Sequence, residues 1–218
     1  MSLADQILER TDAIQQLAYL QAQLAEEAER RKRFREWVRE DMKAEFILGQ
    51  IVLHSPVMKR HWAANTLLSR LLSIYVEEKE LGFIGFEKVM IALTRNDFEP
   101  DLVFFDNEQM ASFKEDQLLF PAPRFVAEIL SKSTAKNDRT VKKEDYALHG
   151  VEEYWIIDPK TETVEQYLLT PDQVYAEAVI RTLDERIQSS AIAGLDIPVA
   201  AIFRKVVNRE VTRAIMAG

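Results

Sequence analysis

The 218-residue sequence contains no cysteine, which excludes disulfides and every zinc site built on thiolates. Histidine is scarce, with three residues, so a metal centre built mainly on imidazole is not expected. No apolar run approaches the roughly 18 residues that a membrane span needs. Met1–Arg10 lacks a secretory pattern as well, so the expectation is a cytoplasmic protein without a membrane partner. An excess of positive charge is also missing: 36 acidic against 28 basic residues leave a formal net charge of −8. Non-specific nucleic-acid binding normally shows as an overall basic balance. Any polyanion site must then be a local basic patch on an acidic body. What is present, 47% hydrophobic and 29% charged residues, suits a globular chain that buries a substantial core.

Glycine and proline are absent from residues 3–42, which are rich in Ala, Gln, Glu, Leu and Arg. Such residues predict one continuous helix over Leu3–Met42. Ile7, Ile14, Leu17, Leu24 and Ala28 follow heptad spacing, with Arg10 and Gln21 in the remaining seam positions. This imperfect seam predicts a coiled coil over residues 1–43 that assembles a homo-oligomer. The run RRKRFR at 30–35 has two readings, a nucleic-acid contact or a solvated face with ion pairs such as Glu27–Arg31 and Glu29–Arg33. The second is the more ordinary.

From Ala44 the period changes. Two short strands with a turn near Gly49 are expected, then a helix over Lys59–Lys79 whose apolar stripe runs Ala64, Leu67, Leu68, Leu71, Leu72 and Tyr75. His61 continues that stripe, as a packing residue or an active-site one. A strand from Gly82 to Leu93, a polar turn at 94–97 and a strand after Asp101 follow. After a polar loop at 107–123 come a strand around Glu128, a helix over Asp138–His149 capped by Asn137 or Asp138, and a strand over Glu153–Asp158. A hairpin over 163–180 and a terminal helix from Val199 complete a mixed sheet with packed helices.

Two carboxylates stand where folding alone would not choose them. Asp101 opens the run Leu102–Phe105, and Glu128 lies inside Phe125–Leu130; both runs read as buried strands. A carboxylate there is costly unless paired with a base or bound to a metal. Lys132, Lys136, Arg139, Lys142 and Lys143 follow closely, with Asp138 the only acid among them. Paired carboxylates beside a basic segment suit Mg²⁺ or Mn²⁺ facing a polyanion, since such ions take one or two carboxylates plus water and phosphate oxygens. Structural pairing with Lys or Arg is the other reading.

Several motifs in order resemble the Uma-two family of bacterial endonucleases, within the restriction-endonuclease-like PD-(D/E)XK superfamily. They are Pro100-Asp101, Val126-Ala-Glu128-Ile-Leu-Ser131, Asp138-x-x-x-Lys142-x-x-x-Tyr146 and Gly150-Val-Glu-Glu-Tyr154-Trp155-Ile-Ile-Asp158-Pro159. Upstream, Glu45-Phe-Ile-Leu-Gly49 with Ser55-Pro56 and His61 matches in spacing; downstream, Ile192–Phe203 does. The resemblance spans residues 44–203 and leaves out the long helix.

It implies an α/β fold, a restriction-endonuclease-like mixed central sheet flanked by helices, over residues 44–218. It implies a divalent metal held by Asp101, Glu128 and the backbone carbonyl of Ile129, with Glu45 approaching the same site. It also implies hydrolysis of phosphodiester bonds in nucleic acid, DNA first. The superfamily places a lysine two residues after the second acid, where this chain has Leu130; Lys142 is expected to stand in for it. Lys132, Lys136, Arg139, Lys143 and His61 are the expected substrate contacts. The alternative is a catalytically silent nuclease fold that binds nucleic acid or assembles through its coiled coil.

Overall fold

The computed structural model describes residues 3–39 and 41–218. The expected single N-terminal helix is two: α1 (Leu3–Leu8) and α2 (Ala13–Trp37). Asp12 explains the break. Its carboxylate accepts hydrogen bonds from the Arg10 guanidinium at 2.7 and 2.9 Å and from the Gln16 amide at 2.9 Å. These local bonds favour a turn over a continuing helix. A tight hairpin then joins β1 (Ala44–Ile47) to β2 (Gln50–Leu53). Its two turn residues, Leu48 and Gly49, both have positive φ, the backbone that matches the twist of a two-residue hairpin.

The helix α3 (Lys59–Glu78) precedes β3 (Gly82–Phe86), β4 (Met90–Ala92), β5 (Asp97–Phe98) and β6 (Leu102–Asp106). The strand expected over 82–93 is thus two strands in different sheets, parted by Glu87 and Lys88 at positive φ. The short α4 (Asn107–Met110), β7 (Leu119–Phe120) and β8 (Phe125–Ile129) follow. One continuous helix then runs through α5 (Ala135–Asn137), a π-helical segment Asp138–Lys142 and α6 (Lys143–Leu148). Asp138 lies buried inside it and does not cap it, contrary to expectation, because the helix starts three residues earlier. The rest comprises β9 (Glu153–Asp158), β10 (Thr163–Leu168), β11 (Val179–Arg181), the small pair β12 (Arg186–Gln188) and β13 (Asp196–Pro198), α7 (Ala200–Phe203) and α8 (Lys205–Met216).

The main sheet has the order β11-β10-β9-β8-β6-β3, with β8 and β9 parallel and the other pairs antiparallel. A five-stranded sheet, β2-β1-β5-β4-β7, stands beside it. Alternation along the strands assigns the two faces. Leu102, Phe104, Ala127 and Ile129 pack toward α3 and the C-terminal helices. Val103, Phe105, Val126 and Leu130 pack with Tyr146 and Tyr154 on the opposite face, beside Ile91 and Phe98 of the smaller sheet. Glu128 has the parity of Val126 and Leu130, and Asp101 that of Val103 and Phe105. Both acids therefore fall on the face covered by the helix 135–148.

The C-terminal half of α2 is not a free helix. Phe34 is buried against Phe46, their ring centroids 5.7 Å apart, in a satellite core with Ala44 and Met90. Arg31 and Arg35 both grip the buried Asp97, and Arg31 also donates to the carbonyls of Leu93, Thr94 and Asn96. Glu27 pairs with Arg95 at 2.8 Å and not with Arg31. The solvated-face reading of RRKRFR holds for Arg30, paired with Glu26 four residues before it, and for the exposed Lys32 and Arg33, whereas Arg31, Phe34 and Arg35 form an intramolecular clasp that neither reading describes. Upstream, Ile14, Leu17, Leu20 and Leu24 are exposed. Among the described residues no helix is long and apolar enough to cross a membrane.

Candidate active site

The register of β6 against β8 pairs Leu102 with Ala127, so one step further Asp101 stands opposite Glu128. The Ile129 N–H donates to Asp101 Oδ2 at 2.9 Å, which ties the two acids together through the backbone. Glu45 arrives from β1 of the neighbouring sheet, where its Oε1 accepts the Glu99 N–H at 2.9 Å. Lys142 arrives from the π-helical segment; an inserted residue of this kind re-aims side chains and recurs at functional sites.

These four side chains converge. Lys142 Nζ is 2.7 Å from Glu45 Oε1, 2.9 Å from Glu128 Oε1 and 3.5 Å from Asp138 Oδ1, and it lies 5.6 Å from the centre of the Phe98 ring. The Tyr146 hydroxyl donates to the same Glu128 oxygen at 3.2 Å. Asp101 is held by Lys43 Nζ at 3.2 Å on Oδ1, with His61 Nε2 3.4 Å from Oδ2. His54 Nε2 is 3.1 Å from Glu45 Oε2, within ion-pair reach though not aligned for a hydrogen bond.

Charge placement follows burial. Burial raises the proton affinity of Glu45, but Lys142 and His54 outweigh it and hold the carboxyl down at about 2. Burial pushes Glu128 up to about 8 in spite of Lys142, with Asp138, Asp101 and Glu45 adding repulsion. Asp138 is raised too, by burial first. Asp101 is lowered: His61, Lys43 and the Ile129 N–H together exceed the cost of its burial. Burial works against the Lys142 ammonium, yet Glu128, Glu45 and Asp138 keep its pKa well above the ordinary value. Removing Lys142 alone would leave buried carboxylates uncompensated, a change that typically costs about 3–5 kcal/mol.

A cleft of about 880 Å³ opens on this cluster. Asp101, Glu128, Ile129 and Lys142 line it, together with Lys43, His54, Arg60, His61, Lys132, Arg139 and Lys160. Of the expected substrate contacts, Lys132, Arg139 and His61 are thus at the cleft, although Arg139 already pairs with Glu165. Lys136 is exposed but lies outside the cleft lining, and Lys143 rests its ammonium 5.2 Å from the centre of the Tyr167 ring, also away from it. Tyr154 donates to the Asp138 carbonyl and Trp155 to Glu153, so both brace the sheet. Lys43, His54 and Asp138 were not singled out as site residues by sequence. Lys43 and His54 flank the hairpin that carries Glu45, the one signal in the sequence that points to them.

A divalent cation fits this donor set. Fully ionised, Glu45, Asp101, Glu128 and Asp138 carry four negative charges against two on Lys43 and Lys142. Among the described residues, four of the seven buried side-chain atoms without a hydrogen-bond partner belong here: His54 Nε2, His61 Nδ1 and both Asp138 oxygens. Such concentration marks a place where polar partners beyond the protein are called for. Among the described residues no group of three or more Asp, Glu or His side chains is placed to hold a metal ion by itself. The fit is therefore to an ion that takes two carboxylates and keeps its waters, as Mg²⁺ does.

Among solved structures, a putative nuclease belonging to DUF820 from Anabaena variabilis ATCC 29413 superimposes with a TM-score of 0.68 at 19% identity, over 78% of this chain and 94% of that one. The type IIG restriction endonuclease BpuSI gives a TM-score of 0.40 at 9% identity, over 76% of this chain but only 18% of its own length. No curated protein matches the sequence. The first likeness shows that the two chains share one mixed α/β fold. The family model Uma2, described as "putative restriction endonuclease", matches residues 31–200, and over that span, which takes in the clasp of α2, the chain belongs to the Uma2 family.

Proposed function

We propose that the chain is a metal-dependent endonuclease that hydrolyses phosphodiester bonds, with DNA the first substrate to test. The observation that carries this reading is the meeting of Asp101 and Glu128 across adjacent strands at the floor of a cleft rimmed with Lys43, Arg60, Lys132 and Lys160. Asp101, Glu128 and the Ile129 carbonyl would hold Mg²⁺ or Mn²⁺. When bound, the cation polarises the phosphate and lowers the pKa of water. The protein's own groups do the rest. The basic rim binds the backbone phosphates, Lys142 fixes Glu128, and Glu45 fixes Lys142. In the reaction a water oxygen joins phosphorus while one P–O bond to a sugar oxygen breaks. One water proton ends on the leaving oxygen and the other is released.

The exposed stripe Ile14, Leu17, Leu24 supports a second assignment, a symmetric coiled coil between two copies through the N-terminal part of α2.

Purified protein incubated with plasmid, single-stranded DNA and RNA, in Mg²⁺, Mn²⁺ or EDTA, tests the activity. Metal-dependent cleavage that is lost in Asp101→Ala supports the endonuclease. No cleavage of any substrate favours the silent alternative, which has one observation on its side: lysines already neutralise both central carboxylates.

A further inference from the structure

The site holds two lysines in opposite circumstances. The Lys142 side chain is 1% exposed and enclosed by three carboxylates, so its charge is spent on the protein. The Lys43 side chain is 26% exposed, lines the cleft and, among the described residues, forms its ion pair with Asp101, at 3.2 Å. Moving the Lys142 ammonium to a ligand would strand Glu45 and Glu128 in the interior. Moving the Lys43 ammonium would not strand Asp101, which keeps the Ile129 N–H and has His61 beside it.

Lys43 is also held in place by its backbone, not only by its charge. Its carbonyl accepts the His54 N–H at 3.1 Å, which extends the hairpin ladder by one bond. The N–H of the next residue, Ala44, donates to Glu99 Oε2 at 3.0 Å. The stem of the side chain therefore leaves a fixed point beside Glu45 and reaches over Asp101 to the open side of the cleft. Four side-chain bonds give the ammonium freedom to turn from the carboxylate to a neighbouring anion while the stem stays put.

We propose that Lys43, and not the enclosed Lys142, is the lysine that touches the substrate, its ammonium contacting a non-bridging oxygen of the phosphate being cleaved. This rests on the endonuclease reading above. With a cation on Asp101, Lys43 loses its carboxylate partner to the stronger charge, and an anion arriving at the cation takes its place. Lys43 gives up no proton in this role; it offsets charge that accumulates on the phosphate oxygens as water adds. Lys142 is then a positioning residue that acts through Glu45 and Glu128.

Full-length wild type, Lys43→Met, Lys43→Arg and Lys142→Met separate the roles. Three readouts are needed: Mn²⁺ titration by calorimetry, the salt dependence of DNA binding by anisotropy in Ca²⁺, and single-turnover cleavage in Mn²⁺. Lys43→Met should bind Mn²⁺ at least as tightly as wild type, because it no longer competes for Asp101. It should lower the slope of log K against log salt by about one and cut the cleavage rate about 100-fold. Lys43→Arg should restore the slope and part of the rate. Lys142→Met should lose thermal stability and Mn²⁺ affinity together. Wild-type cleavage by Lys43→Met, or loss of Mn²⁺ binding in that variant, overturns the proposal. If wild type cleaves nothing, the endonuclease reading falls first, and an unchanged salt slope in Lys43→Met then removes Lys43 from the anion contact as well.

Discussion

Two buried glutamates differ in how fully the protein itself satisfies their oxygens. Glu153 has donors on both oxygens: Trp155 Nε1 and Gln166 Nε2 on Oε1, and the Ser189 hydroxyl with the Ser190 and Ala191 N–H groups on Oε2. No lysine is among them, and its purpose is to pin residues 189–191 to the sheet. Glu153→Ala should cost about 3–5 kcal/mol, since several buried donors lose one acceptor; urea unfolding measures this. At Glu128, by contrast, both hydrogen bonds go to Oε1, from Lys142 and Tyr146. A glutamine oxygen can accept both, and the change relieves repulsion from Asp101, Glu45 and Asp138. Glu128→Gln should therefore keep its melting temperature in EDTA within about 2 °C. It should lose Mn²⁺ affinity by about 100-fold or more in calorimetry, the loss expected when an anionic oxygen ligand becomes a neutral amide. Wild-type Mn²⁺ affinity in this variant would remove Glu128 from the metal.

Helix α2 is held to the rest of the chain by Phe34, by the Glu27–Arg95 pair and by the buried acid Asp97. Asp97 lies well inside and resists ionisation on that account, but Arg31 and Arg35 more than compensate and lower its pKa below the ordinary 3.8. A carboxyl with a depressed native pKa contributes stability above its unfolded value and loses it as pH falls through the native one. The clasp should hold at pH 4 and above and release only in stronger acid. Amide exchange over residues 27–37 against pH reads this directly; release near pH 6 would mean that another group controls docking. Asp97→Ala should free the same segment at pH 7, at a cost of about 3 kcal/mol. None of this was visible in the sequence, where a helical RRKRFR offers charges but not their partners, which lie more than sixty residues away. What was legible is what local pattern decides. The strand Glu153–Asp158 falls where an apolar run after Gly150 put it, and Asp101 and Glu128 are buried with the apolar runs beside them, Asp101 just before β6 and Glu128 inside β8. The pairing of Glu45 with Lys142 joins two sheets and a helix, and only packing decides which carboxylate a lysine meets. The split of the 82–93 strand and the start of the helix at Ala135 depend on neighbours in the same way.

At the scale of the whole molecule, an acidic body carries a cleft with a basic rim and a projecting helix with an apolar stripe. Long-range repulsion from the net charge of −8 disfavours casual contact with nucleic acid, so the proposed binding would depend on the basic rim of the cleft. The helix raises a different question, because Ile14 is 82% exposed, and Leu17 and Leu24 follow it on the heptad spacing. Burying such side chains against a partner gains roughly 25 cal/mol per Å² of apolar area. The clasp fixes residues 27–35 to the domain, so the projecting part, residues 13–26, has no core of its own to fold back on in this arrangement. A cut at Ala44 would confuse the test, since it removes Phe34, Arg31 and Arg35 along with the stripe. A chain starting at Glu26 keeps the clasp and loses only the seam. Light scattering should give a dimer mass for the full chain and a monomer mass for the shortened one. Leu17→Glu with Leu24→Glu in the full chain should also yield monomers with an unchanged melting temperature for the nuclease-like domain, because both side chains are exposed and neither belongs to its buried clusters. A full-length monomer at micromolar concentration would show that the stripe does not pair copies of this chain.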